Sequence, residues 1–271
     1  MAQLAAPAGA SGRELVQEAE GHLRSGRIAP AMTALTLAAK REPSNAQAHY
    51  YLGRLQGDVG RMKQGIASLR KAVRCEPRRV KYRLALAESL LAGGAASEAL
   101  ECVDEAIGQR PDSGLEHSAR ANCLERLNRT DESLEAARTA LEHEPQLTEA
   151  LILSGRLLAR GGDLEAGREQ IERALATPGL APFFRVRALY ELGLVLDKLA
   201  EYPGAWKAFE ECGRRQLGGQ ASRIDRTFAG KRVDAYRTGT TPDLLQRFPA
   251  GKFADERAAP TFLVGFPRSG T

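Results

Sequence analysis

The residues best suited to chemistry lie at 261–271, in the stretch TFLVGFPRSGT. Gly265 and Gly270 frame four residues, the glycine spacing of a phosphate-binding loop. Backbone N–H groups around Ser269, Gly270 and Thr271 can converge on an anion, and Gly270 lets the backbone approach it closely. The position after the second glycine is Thr271, where a nucleoside-triphosphate loop needs Lys to reach the β and γ phosphates. The positive charge sits instead inside the loop, at Arg268. That rearrangement weakens a kinase or NTPase reading, which stays as the second alternative.

Such a loop needs elements to aim it. Thr261 to Phe266 is a short apolar run bounded by Pro260 and Pro267, the pattern of a buried parallel strand. A helix following the loop would point its positive end at the anion. Everything before residue 213 has a different character. Pro43, Pro77, Pro111 and Pro145 are each 34 residues apart, a period that points to a repeat array.

With each Pro at repeat position 32, the units are 12–45, 46–79, 80–113, 114–147 and 148–181, the last with Pro178 one residue early. A sixth unit near 186–219 follows a short insertion, APFF. Position 15 reads Gly26, Gly60, Gly94, Asn128, Gly162 and Ala200, residues suited, except for Ala200, to the positive φ at which a helix stops. Position 27 is always small: Ala38, Ala72, Ala106, Ala140, Ala174 and Cys212. Positions 7, 8, 11, 20 and 24 carry apolar or small residues at helical spacing. Ser44 with Gln47, and Asp112 with Ser113, are the expected N-caps after their prolines. Each unit therefore reads as a helix, a Gly-closed turn and a second helix.

This pattern over residues 12–219 resembles the tetratricopeptide repeat family. The resemblance implies antiparallel helix pairs stacked into a right-handed superhelix, with the first helix of each pair lining a concave, peptide-binding face. The aromatic expected at position 4 is missing: Leu15, His49, Arg83, His117, Leu151 and Leu189 stand there, which predicts looser helix contacts. On the concave face, positions 2, 5 and 9 carry Arg13, Val16 and Glu20, then Gln47, Tyr50 and Arg54, then Lys81, Leu84 and Glu88, then Leu115, Ser118 and Asn122. The Lys and Asn pattern that clamps a C-terminal carboxylate in some members is absent. Arg126, Arg156 and Arg160 form a basic set that would favour acidic segments if it is more than a solvated face.

The strand and PRSGT loop resemble the sulfotransferases that use 3'-phosphoadenosine-5'-phosphosulfate. Tetratricopeptide arrays joined to such domains occur in bacterial sulfotransferases, some similar to protein-tyrosine sulfotransferases, and LGLVLDKLAEYPGAWKAFEECGR looks like their last repeat. The resemblance implies that Pro267, Arg268, Ser269, Gly270 and Thr271 bind the phosphosulfate, with hydroxyls of Ser269 and Thr271 on phosphate oxygens. It implies a catalytic Arg268 that stabilises charge on the bridging oxygen as the sulfuryl group leaves. A general base, a 3'-phosphate site and further strands are not in these residues. The expectation is therefore the front part of a longer enzyme acting on a hydroxyl acceptor such as protein tyrosine, itself inactive. The alternative is a non-catalytic repeat scaffold.

Composition sets the remaining bounds. Residues 1–212 hold 28 Lys and Arg against 29 Asp and Glu, whereas 213–271 hold 11 against 5, so the basic excess lies beside the loop. It has little aromatic interleaving, which argues against nucleic acid. Cys75, Cys102, Cys123 and Cys212 form no CxxC pair and read as small packing residues, and His22, His49, His117 and His143 form no metal motif. No apolar run approaches the ~18 residues of a membrane span, and a cytoplasmic protein with no metal and no membrane partner is expected. The fold class expected is all-α: a superhelix of about six helix pairs at 12–219, after a flexible 1–11. A capping helix near Ile224 and Phe228 and a linker fill 220–259, and 260–271 begins a truncated α/β P-loop-like sulfotransferase domain.

Overall fold

The computed structural model describes residues 9–218, within the first of two units, Met1–Gly218. The expected cap and linker, the strand and the loop Pro267 to Thr271 lie outside the described residues. Among the described residues there are twelve α-helices and no strand. They form six hairpins: α1 (Gly12–Arg24) with α2 (Ile28–Arg41), α3 (Ala46–Asp58) with α4 (Met62–Cys75), and α5 (Val80–Ala92) with α6 (Ala96–Gln109). Then come α7 (Gly114–Arg126) with α8 (Thr130–His143), α9 (Thr148–Arg160) with α10 (Leu164–Leu175), and α11 (Pro182–Lys198) with α12 (Tyr202–Leu217).

Each hairpin turns on one left-handed residue. Gly26, Gly60, Gly94, Asn128, Gly162 and Ala200 all have positive φ, between 59° and 98°. Ala200 adopts φ 60° despite its Cβ, so the turn geometry overrides its local preference. The two helices then cross at positions 8 and 20. A Cβ on Gly53 would lie 2.9 Å from the Gly65 carbonyl oxygen, and one on Gly65 would lie 2.7 Å from that of Gly53. Gly155 and Gly167 meet in the same way, at 2.7 and 2.8 Å. In the fourth hairpin the crossing pair is Ala121 and Ser133, and the buried Ser133 hydroxyl donates to the Ala121 carbonyl at 2.7 Å. The small column at position 27 is buried throughout, from Ala38 to Cys212.

The expected N-caps need correction. Helix α3 is capped by Asn45, whose side chain accepts from the Ala48 N–H at 2.9 Å. The helix starts one residue later than a Ser44 cap requires, so Gln47 falls out of register for the box; Ser113 precedes α7 without a side-chain cap bond. The APFF insertion lengthens a helix, because Pro182, Phe183 and Phe184 form the first turn of the 17-residue α11, where the earlier first helices have 13 residues. Pro is at home there, since the first helical N–H has no partner to lose.

Position 4 is not loose either. The His49 Nε2–H donates to the Pro43 carbonyl at 3.0 Å, Arg83 Nη2 to that of Pro77 at 2.9 Å, and His117 Nε2–H to that of Pro111 at 2.8 Å. From position 30 of the same units, Cys75 Sγ and Gln109 Nε2 reach the Pro43 and Pro77 carbonyls, and His143 stacks on His117 with ring centroids 5.4 Å apart. A polar side chain thus ties each of the second, third and fourth units to the proline turn before it. Burial lowers the pKa of His49, against the opposing effect of its carbonyl bond, so the neutral donor form is favoured.

Backbone strain and close approach predict opposite signs for two small substitutions. Ala200→Gly should stabilise the protein by about 1 kcal/mol by relieving the left-handed Cβ, whereas Gly155→Ala should destabilise it by about 2 kcal/mol through overpacking at the crossing. Urea unfolding followed by circular dichroism measures both; equal or reversed shifts would contradict the crossing geometry.

Candidate functional site

Successive first helices pack backbone to backbone, α1 to α3, α3 to α5, α5 to α7, α7 to α9 and α9 to α11, whereas among the described residues no two second helices come that close, and α4 and α6 meet through the long side chains of Arg70 and Glu98. The array therefore curves with its first helices inside. Near the amino end this inner face is filled: Tyr50 and Tyr82 pack with centroids 5.0 Å apart, Lys81 Nζ lies 4.8 Å over the Tyr50 ring, and Gln47 donates to Glu20. Arg54 lies 3.5 Å from the Tyr50 hydroxyl, and Val16 and Ser118 are buried.

Further along the face opens into a cavity of about 480 Å³ between α5, α7, α9 and α11. Leu84, Leu91 and Leu115 give it apolar walls, and Leu115 is 48% exposed. Asn122, Glu88, Glu149, Arg126 and Arg187 supply its polar groups. Apolar walls with a few polar groups aimed inward are what a ligand groove requires. Cys123 also lines it, but burial pushes that thiol up to about 12, so it is a packing group and not a nucleophile. Of the other thiols, Cys212 is buried as expected, whereas Cys75 is exposed.

The basic set expected here is largely consumed. Arg156 is 14% exposed and bridges two other first helices, with Nη2 at 2.6 Å from Glu125 Oε2 on α7 and Nη1 at 3.2 Å from Glu191 Oε1 on α11. Arg160 adds a contact of 2.8 Å to Glu125. Glu125, Arg156 and Glu191 occupy positions 12, 9 and 6 of successive units, so residues about one turn apart in register face each other. Only Arg126 of the three arginines stays exposed without an ion pair among the described residues. Arg187, Glu149, Glu125 and Glu191 are the functional-face residues that the repeat pattern did not single out. A descent of three positions per repeat between opposite charges is the signal that could have found the last two.

Glu149 is the least compensated of these groups. Burial raises its pKa above the ordinary carboxylate value, Glu88 adds to the rise, and Arg187 and a hydrogen bond from Asn122 oppose it. Asn122 Nδ2 lies 3.3 Å from Glu149 Oε1 and shares its donors with the Ser118 carbonyl, 3.0 Å away. No group of three metal-ligating side chains occurs among the described residues, and no described helix is long and apolar enough to cross a membrane.

A solenoid of helical hairpins with a groove on its inner face is thus the class of protein that the fold defines. The tetratricopeptide repeat family model matches residues 16–56, 52–114 and 118–183, more than half of the chain, and the protein belongs to that family. The chain is similar to TTC0263, a thermophilic tetratricopeptide protein of Thermus thermophilus, at 22% identity and a TM-score of 0.56, covering 67% of this chain and 99% of that one. It is similar to PilW, a widely conserved type IV pilus biogenesis factor, at 14% identity and a TM-score of 0.63, covering 79% and 95%. It is similar to YrrB, a tetratricopeptide protein with an unusual peptide-binding site, at 18% identity and a TM-score of 0.50, covering 61% and 85%. At these identities the likeness concerns the fold alone. A comparison with curated proteins returns no match. The family match ends at residue 183 and gives no support to the sulfotransferase likeness of residues 260–271.

The Arg156 cluster makes a sharp energetic expectation. Arg156→Ala strands the mostly buried Glu191 and leaves Glu125 with only the exposed Arg160, and should cost about 3 kcal/mol. Adding Glu125→Gln and Glu191→Gln to that variant should return most of the loss in chemical denaturation; no recovery would show that the arginine acts through packing alone.

Proposed function

We propose that the array is a protein-interaction scaffold whose groove between α5, α7, α9 and α11 holds an extended segment of a partner protein. The observation that carries this reading is the cavity of about 480 Å³ with Leu115 exposed at its wall. An exposed leucine beside a polar floor gains free energy when a partner covers it, by roughly 25 cal/mol for each Å² removed from water. The description of YrrB as having a peptide-binding site supports the same use of this fold. Peptides selected on the purified chain from a random library should lose at least tenfold in affinity for Leu115→Asp, with the helical signal unchanged. Selected peptides that bind that variant as well as the parent protein would sink the reading.

A second reading rests on TFLVGFPRSGT, whose glycine frame and internal Arg268 fit a phosphosulfate better than a nucleoside triphosphate. In it, the chain is the leading part of a sulfotransferase, and Pro267 to Thr271 hold 3'-phosphoadenosine-5'-phosphosulfate. Arg268 steadies the bridging oxygen as its bond to sulfur breaks and a hydroxyl oxygen of the acceptor, tyrosine among the candidates, takes the sulfuryl group. The array would then present the acceptor protein. In the full gene product, Arg268→Ala should abolish sulfuryl transfer and weaken binding of 3'-phosphoadenosine-5'-phosphate while the array stays folded. Unchanged transfer and binding would remove Arg268 from this role.

A further inference from the structure

The groove has an unbalanced polar group, and its surroundings indicate what would balance it. Of the cations near the cavity, Arg156 and Arg160 are spent on Glu125 and Glu191, with contacts of 2.6 to 3.2 Å. Glu149 in the floor has one protein hydrogen-bond donor among the described residues, Asn122, which it shares with the Ser118 carbonyl. Arg187 faces Glu149 electrostatically but makes no ion pair with it among the described residues. Glu88 lies on the opposite wall, exposed and likewise unpaired among the described residues. Its charge acts on Glu149 and makes ionisation there costlier still.

A half-buried carboxylate that has lost part of its water, and whose nearby Arg187 makes no ion pair with it among the described residues, is stabilised by a cation that arrives with a ligand. Arg126, by contrast, is exposed, so pairing it with a ligand carboxylate gains little over hydration. The preference that the arginines suggest from sequence is therefore reversed. Resting on the reading of this face as a peptide groove, we propose that the segment it accepts places one basic side chain, Lys or Arg, between Glu149 and Glu88, with apolar residues on either side seated on Leu84 and Leu115. A side-chain cation fits better than a metal ion, because no three ligating side chains converge among the described residues.

Three capped peptides test this, each with leucines flanking a central Lys, Gln or Glu, titrated into the isotope-labelled chain by NMR. The Lys peptide should bind about tenfold more tightly than the Glu peptide, shifting the Leu84 and Leu115 methyl signals. Glu149→Gln should remove most of that difference and leave the Gln peptide's affinity unchanged, and Glu88→Gln should reduce it by a smaller factor. If the three peptides bind the groove equally, or the Glu peptide binds best, the basic-residue inference is overturned and the groove reading stands. If none perturbs the groove signals, both fall. A Lys preference that survives Glu149→Gln and Glu88→Gln overturns the assignment to these carboxylates.

Discussion

The close crossing of the two helices in each hairpin is the constraint on which the rest of the array depends. Where Gly53 meets Gly65, and Gly155 meets Gly167, an added Cβ would lie within 3 Å of the facing carbonyl oxygen. Side chains larger than Ala or Ser at positions 8 and 20 would push the helices apart. Because the same small pair recurs at every hairpin, including Ala19 with Ala31 and Ala87 with Ala99, the hairpins share one geometry. Similar hairpins stack by a repeated operation, and repetition of one small rotation is what generates curvature. The inner groove is thus a consequence of crossings, such as Gly155 with Gly167, that do not line it.

The same rigidity explains the charge pattern inside. When adjacent first helices face one another one turn out of register, positions 12, 9 and 6 of three successive units fall at one level. Glu125, Arg156 and Glu191 exploit that level, so the cluster measures the stacking of α7, α9 and α11 as much as it stabilises them. Burial raises the value of each contact and also the penalty for an incomplete one. Two carboxylates share one guanidinium there, with Arg160 as the exposed supplement. Glu149 has no such supplement, and it sits at the wall of the open cavity, not inside the cluster.

Much of the fold was legible because a period of 34 fixes the phase of every helix, and phase determines which side chains are inside. The left-handed turns at position 15 and the buried alanines at position 27 follow from one-residue requirements that sequence displays directly. What the pattern hid were polar bonds that form only once the turns are built and neighbouring helices are stacked. Position 4 looked weak without its aromatic, yet His49, Arg83 and His117 reach back six residues to the proline carbonyls, a bond visible only once the turn is built. The arginines at 156 and 160 looked available for the same reason: their partners lie 31 and 35 residues away on neighbouring helices.

The groove's chemistry therefore follows from subtraction. A count of charged residues along the inner face gives a mixed surface with no preference, because Arg and Glu are both plentiful there. Removing the groups that satisfy one another inside the array leaves a smaller set whose members differ in what solvent already does for them. Arg126 keeps its water, whereas Glu149 has exchanged part of its own for one shared amide donor. The free energy available to a ligand lies in that difference and not in the number of charges. Differences along a solenoid of near-identical hairpins arise where the repeat is imperfect: at position 2 the array changes from Leu115 to Glu149 to Arg187, and all three line the groove.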